Sequence, residues 1–368
     1  MREGPSSEVL SGAAGWRPVL TSRLDGRVLA SRIPITSGRL VTIADAEVPE
    51  RLTFTVPEWD HGTSWVPESP THPLARYGQI IEAQIQVTAP TSRIVTDTRL
   101  GLFRVHDWDF DDEGQVQVVC LGQLQRVKEA KFRSPEVPRA GGTFFSEFRR
   151  LMVPGIPVVI HPDLVDRPIP KSFVWETERL AALYEIAAAL PARIRTDQWG
   201  QVNLLPPLPD VPAPVMTLTD GEGGTLIRTP RSDTRDQAYN VVVGQSSATD
   251  SPARESVRAV AEQLTGPMAA TTDGTGYGEV VRYVSSPLTT TPGQVAAMAH
   301  TTLRSELRKA QVRTVYAAAD PRVELDDALA LRRGRRRARR TEWGWVVGTD
   351  LPLTVADGAM RLDVGVSA

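Results

Sequence analysis

A single cysteine, Cys120, stands among the 368 residues, so no intramolecular disulfide framework can staple this chain. It lies in the apolar run Val118-Val119-Cys120-Leu121, a setting that predicts a buried, inert thiol. Histidine is scarce as well. The five histidines (His61, His72, His106, His161 and His300) are scattered with no two at metal-ligand spacing, so no metal site is expected. Lysine is almost missing, with 4 residues against 38 arginines. With abundant alanine, that skew points to a GC-rich coding genome and not to a mechanism. No apolar run approaches the length that crosses a bilayer, and the first thirty residues lack the basic, apolar and small-residue order of a signal peptide. These absences imply an aqueous compartment and no membrane anchor. Strong charge of either sign is missing too. Forty-two basic and 44 acidic residues leave a formal net charge of -2, which disfavours direct nucleic-acid binding. There is no Gly-x-Ser-x-Gly elbow, no His-Glu-x-x-His and no phosphate-loop Gly-Lys-Ser/Thr, so no catalytic residue and no cofactor site is assigned. With 44 carboxylates, a glycosidase-type pair remains open on sequence alone.

What is present is ordinary globular composition, 41% apolar and 23% charged, in a chain long enough for two or three units. Residues 1–22 are polar and read as an arm or disordered leader. From Asp25-Gly26, a turn signal, short alternating strands follow over 27–35, 38–44 and 51–56, the last with Leu52, Phe54 and Val56 on one face. The run 79–88 alternates again, with Ile81, Ala83, Ile85 and Val87 together. Strands over 99–108 and 115–121 flank an acidic turn. Residues 23–133 therefore read as a small antiparallel barrel or sandwich. Residues 134–215 read as a middle α/β unit. Its helices are a short one capped by Thr143 and a stronger one over 178–190, followed by a hairpin turning at Asp197-Gln198-Trp199-Gly200 and a proline-rich exit. Residues 216–368 return to strands around the clearest helix, about 292–311, with Thr291 as cap and Pro292 in the first turn. Between strands over 238–244 and 279–285 the polar stretch 245–278 reads as a long loop. The expected fold class is mainly β with an α+β insert.

Several constellations could carry chemistry. Asp107, Asp109 and Asp111 alternate like the start of an EF-hand loop. The pattern then fails, with Asp112 where glycine is needed and Val118 where glutamate is needed, which favours a solvated hairpin tip. Gly274, Gly276 and Gly278 lack the preceding apolar strand and following helix of a dinucleotide loop. Trp59, Trp65 and Tyr77, in or beside a proline-rich loop, suit either a sugar platform or core and interface packing. The most unusual feature is a run of seven arginines in nine residues: Arg332, Arg333, Arg335, Arg336, Arg337, Arg339 and Arg340. It can be a solvated hairpin tip, a contact with an acidic surface of a partner subunit, or a nucleic-acid contact, the last weakened by the near-neutral total charge.

Three further blocks occur in a telling order. The first third carries Gly38-Arg39-Leu40-Val41 and then Arg51-Leu52-Thr53-Phe54-Thr55-Val56-Pro57. After a Trp/Pro loop come Pro73-Leu74-Ala75-Arg76-Tyr77-Gly78-Gln79 and Leu100-Gly101-Leu102-Phe103-Arg104-Val105. In the middle, a helix precedes Asp197-x-x-Gly200-x-Val202. In the last third, a capped helix and a strand precede Asp320-Pro321-Arg322-Val323-Glu324-Leu325-Asp326-Asp327. Together, over roughly residues 25–366, these blocks resemble the tail hub and minor tail proteins of long-tailed phages, notably actinobacterial ones. They are similar also to baseplate and tailocin hubs and to the N-terminal region of tail-associated lysins.

The resemblance implies two tail-tube-like antiparallel β-barrels plus a small middle α/β domain, and a non-catalytic homotrimer that closes a pseudo-six-fold ring. Implied neighbours are a distal tail protein or the tail tube above, tip, spike or fibre proteins below, and a tape-measure protein in the lumen. The implied location is the tail tip of the virion. Some such hubs carry a lytic or fibre domain after this region. As the chain ends at Ala368, that activity is expected on another protein. The arginine run maps onto nothing in the family. A carbohydrate-binding distal tail module, favoured by an aromatic groove around Trp59 and Trp65, and a cell-wall hydrolase are the alternatives.

Overall fold

The computed structural model describes residues 1–12, 14–89, 94–170, 173–230, 235–236, 238–247, 257–273, 275–334 and 340–366. A short helix α1 (Ser7–Ser11) leads into strands β1 (Gly15–Leu24), β2 (Arg27–Ser31), β3 (Ser37–Ile43) and β4 (Glu50–Pro57). The two-residue pair β5 (Trp59–Asp60) and β6 (Thr63–Ser64) precedes β7 (Ile80–Thr88), β8 (Val95–Phe110) and β9 (Gln115–Leu121). The middle holds α2 (Leu124–Glu129), α3 (Phe144–Leu151), β10 (Val158–Ile160), α4 (Arg179–Ala189), β11 (Arg193–Thr196) and β12 (Val202–Leu205). Then come β13 (Met216–Thr219), β14 (Leu226–Arg228), β15 (Val241–Ser246), β16 (Arg258–Glu262) and β17 (Val281–Ser286). Helix α5 (Pro292–Ala310) and strands β18 (Val312–Ala317), β19 (Ala328–Arg333), β20 (Arg340–Pro352) and β21 (Met360–Val366) complete the chain.

Alternation places the core. Leu52, Phe54 and Val56 of β4 and Ile81, Ala83, Ile85 and Val87 of β7 are all at most 1% exposed. Asp25 (φ 48°) and Gly26 (φ 80°) both take the left-handed turn that a two-residue hairpin between β1 and β2 requires. Thr143 and Thr291 cap α3 and α5, each with its side chain accepting from the third helical amide and a side chain returning the bond.

Thirteen strands join one sheet in the order β14-β18-β21-β20-β3-β4-β9-β8-β7-β1-β2, with β19 pairing β20 and β13 pairing β19. Only the β13–β19 pair in it is parallel. The front and back strands, expected as two tube-like barrels, are thus hydrogen-bonded into a single sheet. The long strand β20 makes the seam. Its residues 340–345 pair with β19, while Gly348–Pro352 pair with Ile43–Arg39 of β3 on the same edge. One apolar core follows the sheet from Leu20 to Val364. A second gathers Phe144, Phe148, Leu183, Ile186 and Val202 of the middle helices with the β10-β12-β11 sheet. A third, small sheet, β16-β15-β17, packs Val242 and Ala261 on Ala299 and Leu303 of α5. Among the described residues no helix is long and apolar enough to cross a membrane.

Two sequence expectations need correction. The arm expected over 1–22 is built structure: β1 starts at Gly15 and pairs with β7 from Gly15↔Thr88 to Arg23↔Ile80. Its polar composition hid it, because only Leu20 and Ser22 on one face are fully buried. The long loop expected over 245–278 contains β16, held against β15 through five paired residues, Val241↔Glu262 to Gln245↔Arg258. Exposed Arg258 and Glu262 at the ends of this strand disguise its alternation.

Candidate functional site

The block 320–327, singled out in the sequence, is a loop between β18 and β19 onto which distant parts of the chain converge. Asp320 and Arg322 clasp each other: Arg322 Nε donates to Asp320 Oδ1 at 3.0 Å and Nη2 to Oδ2 at 2.8 Å, both residues 8% exposed. Arg322 Nη2 also donates to Ser7 Oγ of α1 at 3.1 Å. The first residues lie across the loop. Arg2 donates its backbone N–H to Arg322 O at 2.8 Å and its Nη1 to Pro321 O and Val323 O at 3.1 and 2.8 Å. The Met1 amine meets Asp327 Oδ1 at 2.6 Å.

From the middle unit, β11 reaches the same loop. In Arg193-Ile194-Arg195 the strand period sends Ile194 into the core, 1% exposed, and both arginines to the other face. That face meets Asp326. Arg195 donates to both its oxygens, Nε to Oδ2 at 2.7 Å and Nη2 to Oδ1 at 3.2 Å, and Arg193 Nη1 donates to Oδ2 as well. One carboxylate, 12% exposed in its side chain, thus takes two guanidiniums. Asp326 itself sits at φ 70°, in the left-handed region, and its N–H donates to Val346 O of β20 at 2.9 Å.

A cavity of about 200 Å³ lies where these pieces meet. Leu40 and Thr42 of β3, Leu100–Phe103 of β8, Arg2 and the 324–326 loop contribute to its wall. Glu50, the first residue of β4, turns its side chain over Gly122. There a Cβ would fall 2.2 Å from Glu50 Oε2, so the carboxyl keeps this position only over glycine. The Oε2 atom is buried without a hydrogen-bond partner, and burial pushes the Glu50 carboxyl up to about 7. Burial also raises Asp327 above the ordinary carboxylate range. This is a joint. Asp320, Asp326 and Asp327 are each committed to guanidinium, amine or amide donors, tying the first residues and the middle unit to the loop between β18 and β19.

The residues expected to carry function are distributed otherwise. Arg332 is exposed and ends β19 with Arg333, which is half-buried and ion-paired with Glu342. Arg340 opens β20 directly opposite Arg333. Gly334 donates its N–H to Asp220 at 2.8 Å. Arg335, Arg336, Arg337 and Arg339 lie outside the described residues. Trp59 and Tyr77 are 60% and 63% exposed, but Trp65 is 8% exposed and belongs to the main core, edge-on to His72. The aromatic trio is therefore no single platform. At the acidic turn, Asp111 Oδ1 accepts from the N–H groups of Glu113 and Gln115, a solvated tip. Among the described residues no three His, Cys, Asp or Glu side chains gather to hold a metal. Cys120 is fully buried and its thiol is pushed far up by that burial. Sequence reasoning missed Glu50 and the Arg193/Arg195 pair, and named Asp326 only as part of the 320–327 block. The one local clue was two arginines at strand period around an isoleucine.

No protein-family model matches the sequence, and a search among curated proteins finds none similar. Solved structures match end to end. A tail protein from Neisseria meningitidis superposes with a TM-score of 0.64 at 11% identity, covering 95% of this chain and 96% of the other. The 43 kDa tail protein of prophage MuSo2 from Shewanella oneidensis gives 0.60 at 9% identity, covering 94% and 98%. A prophage tail protein from Listeria monocytogenes gives 0.53 at 9% identity, covering 95% and 94%. At such identities the likeness is one of fold, and this chain shares the fold of these three tail proteins.

Proposed function

We propose that the chain is a non-catalytic structural hub at the tip of a phage tail, three copies closing a pseudo-six-fold ring. The observation that carries this reading is the whole-length likeness to a tail protein, 95% of this chain against 96% of the other with no large part left over. In this reading residues 23–133 and 216–368 are two tube-like β-units, and 134–215 is the middle unit between them. The sheet ends support it. Among the described residues, strands β2 and β14 end the eleven-strand path of the large sheet and β13 ends the branch through β19, with Val28 52% and Ile227 65% exposed on β2 and β14. Free edges of this kind need a partner or protection, and neighbouring copies supply one in a ring. The distal tail ring or tube lies above, tip, spike or fibre proteins lie below, and a tape-measure protein passes through the lumen. The Arg332–Arg340 segment is the contact with an acidic partner surface.

Mass measurement of the isolated protein across a concentration series, with negative-stain imaging, tests the reading. Trimers and three-fold rings are the expected result. A monomer at all concentrations, together with its absence from purified tails, would overturn it.

A further inference from the structure

The joint contains one group that its ion pairs leave out. Glu50 sits at the cavity where β4, β11 and the 320–327 loop meet, with one carboxylate oxygen buried and unbonded. The charged and titratable groups facing it come from three directions. Arg2 comes from the first residues, Arg193, Arg195, Asp197 and Tyr184 from the middle unit along with the Thr196 hydroxyl, and Glu324 and Asp326 from the loop. Strands β3 and β8 present Thr42 and Leu100–Phe103, none of them charged, and the turn after β9 presents Gly122. Both guanidiniums are engaged elsewhere, although Arg2 Nε is itself buried without a hydrogen-bond partner. Arg195 is held by both oxygens of Asp326, and Arg2 by the carbonyls of Pro321 and Val323 and by Glu324 at 3.4 Å. Tyr184 Oη is spent on Glu47 O at 2.9 Å, and burial pushes its hydroxyl up to about 12, so it stays protonated.

We propose that Glu50 is a proton-controlled latch between the middle unit and the large sheet. Neutral, its carboxyl lets the joint close over it. Ionised, it draws on Arg195, Arg2 and the Thr196 hydroxyl, and any pull on Arg195 leaves Asp326 with Arg193 alone. The middle unit then loosens at β11 while the sheet, sewn by β20, stays whole. The carboxyl's high proton affinity puts this change near neutral pH. The device belongs to one chain, so it holds or fails independently of the ring.

The test is amide hydrogen exchange on the full chain between pH 6 and pH 8, corrected for intrinsic rates, reading β11 and residues 320–327. With a folded value of about 7 against about 4.5 when open, exchange there is expected to rise about tenfold over that interval. In Glu50→Gln the rise disappears and protection stays at the low-pH level. In Gly122→Ala, whose Cβ expels the carboxyl, the rise disappears with protection at the high-pH level. A flat wild-type profile, or the same rise in Glu50→Gln, would overturn the latch. Carbon-13 observation of Glu50 gives a direct second reading, and titration near 4 would overturn it equally.

Discussion

Replacing Asp326 by Asn tests whether the joint holds through charge. The change keeps size and tolerates φ 70°, since asparagine is among the few residues at ease in the left-handed region, so backbone strain is not added. What it removes is the one carboxylate that, among the described residues, forms an ion pair with two guanidiniums whose side chains are 20% and 18% exposed. Breaking one side of a buried pair costs ~3–5 kcal/mol. The partial exposure of the arginines screens part of that, leaving ~2–3 kcal/mol. The loss falls on the docking of β11, so the readout is exchange of the β11 amides and of the Asp326 N–H on Val346 O, expected to quicken roughly 30- to 150-fold. A cycle makes the test specific. In a chain already carrying Arg193→Ala and Arg195→Ala, the same Asp326→Asn is expected to cost less than ~1 kcal/mol, because no stranded cation remains. If Asp326→Asn costs the same in both backgrounds, or leaves exchange unchanged in the wild type, the two-arginine account of the joint is refuted.

Other outcomes follow from single features. Glu50 gives the fold a pH slope of definite sign. The folded state holds this proton more tightly than the unfolded chain, so stability falls as pH rises from about 4.5 to about 7 and is level above that. The fall is at most ~3 kcal/mol, and melting curves of Glu50→Gln should lack it. Gly344→Ala would place a Cβ 2.4 Å from Gly365 O and 2.8 Å from Val364 Cγ1 across the β20–β21 pair. Because backbone must yield, a loss of ~1–3 kcal/mol is expected in denaturant titration, against little for Gly348→Ala, whose nearest contact is the Asp363 side chain. Cys120, fully buried with its thiol disfavoured as thiolate, should resist a water-soluble thiol reagent at pH 8 until the chain is unfolded. Labelling of the native protein would contradict the packing of β9 against β4.

How much of this the sequence could disclose depended on range. Where the relevant contacts recur every second or every third to fourth residue, the pattern was legible: β4, β7, β9, α5 and the caps Thr143 and Thr291 lie where periodicity and cap chemistry put them. Strands with one or two buried side chains, such as β1, β14 and β16, were hidden or shortened, because their stability comes from the neighbour they pair with and not from their own alternation. The joint was the least legible part. Arg2 meets the carbonyls of Pro321 and Val323, and Arg193 meets Asp326, over separations of more than a hundred residues with no local periodicity. The 320–327 block stood out only through resemblance. The sequence could mark it as a unit but not say that the first residues and β11 would dock on it. Glu50 looked like the polar first residue of a strand. Its burial comes from a turn seventy residues later, where Gly122 alone leaves space.

The seam strand decides which motions the fold permits. Because β20 pairs with β19 through residues 340–345, with β21 through 344–350 and with β3 through 348–352, the two ends of the chain share backbone hydrogen bonds and one core. Separating them would break a ladder and expose apolar surface at once, a cost far beyond any ligand or proton. The middle unit has its own core and meets the sheet largely through side chains: Arg193 and Arg195 on Asp326, Tyr184 on Glu47 O, and Gln123 on Leu102 O. Side-chain joints of this kind open at a few kcal/mol, within reach of one protonation. The fold thus divides its stability between a sheet too costly to part and a lateral unit held by charges. Arg39 marks where the two regimes meet. It binds Asp350 at 2.5 Å and the carbonyl of Asp357 at 2.7 Å, locking β3 to β20 on the rigid side of the joint, so neutralising it should weaken the seam without altering the pH response of β11.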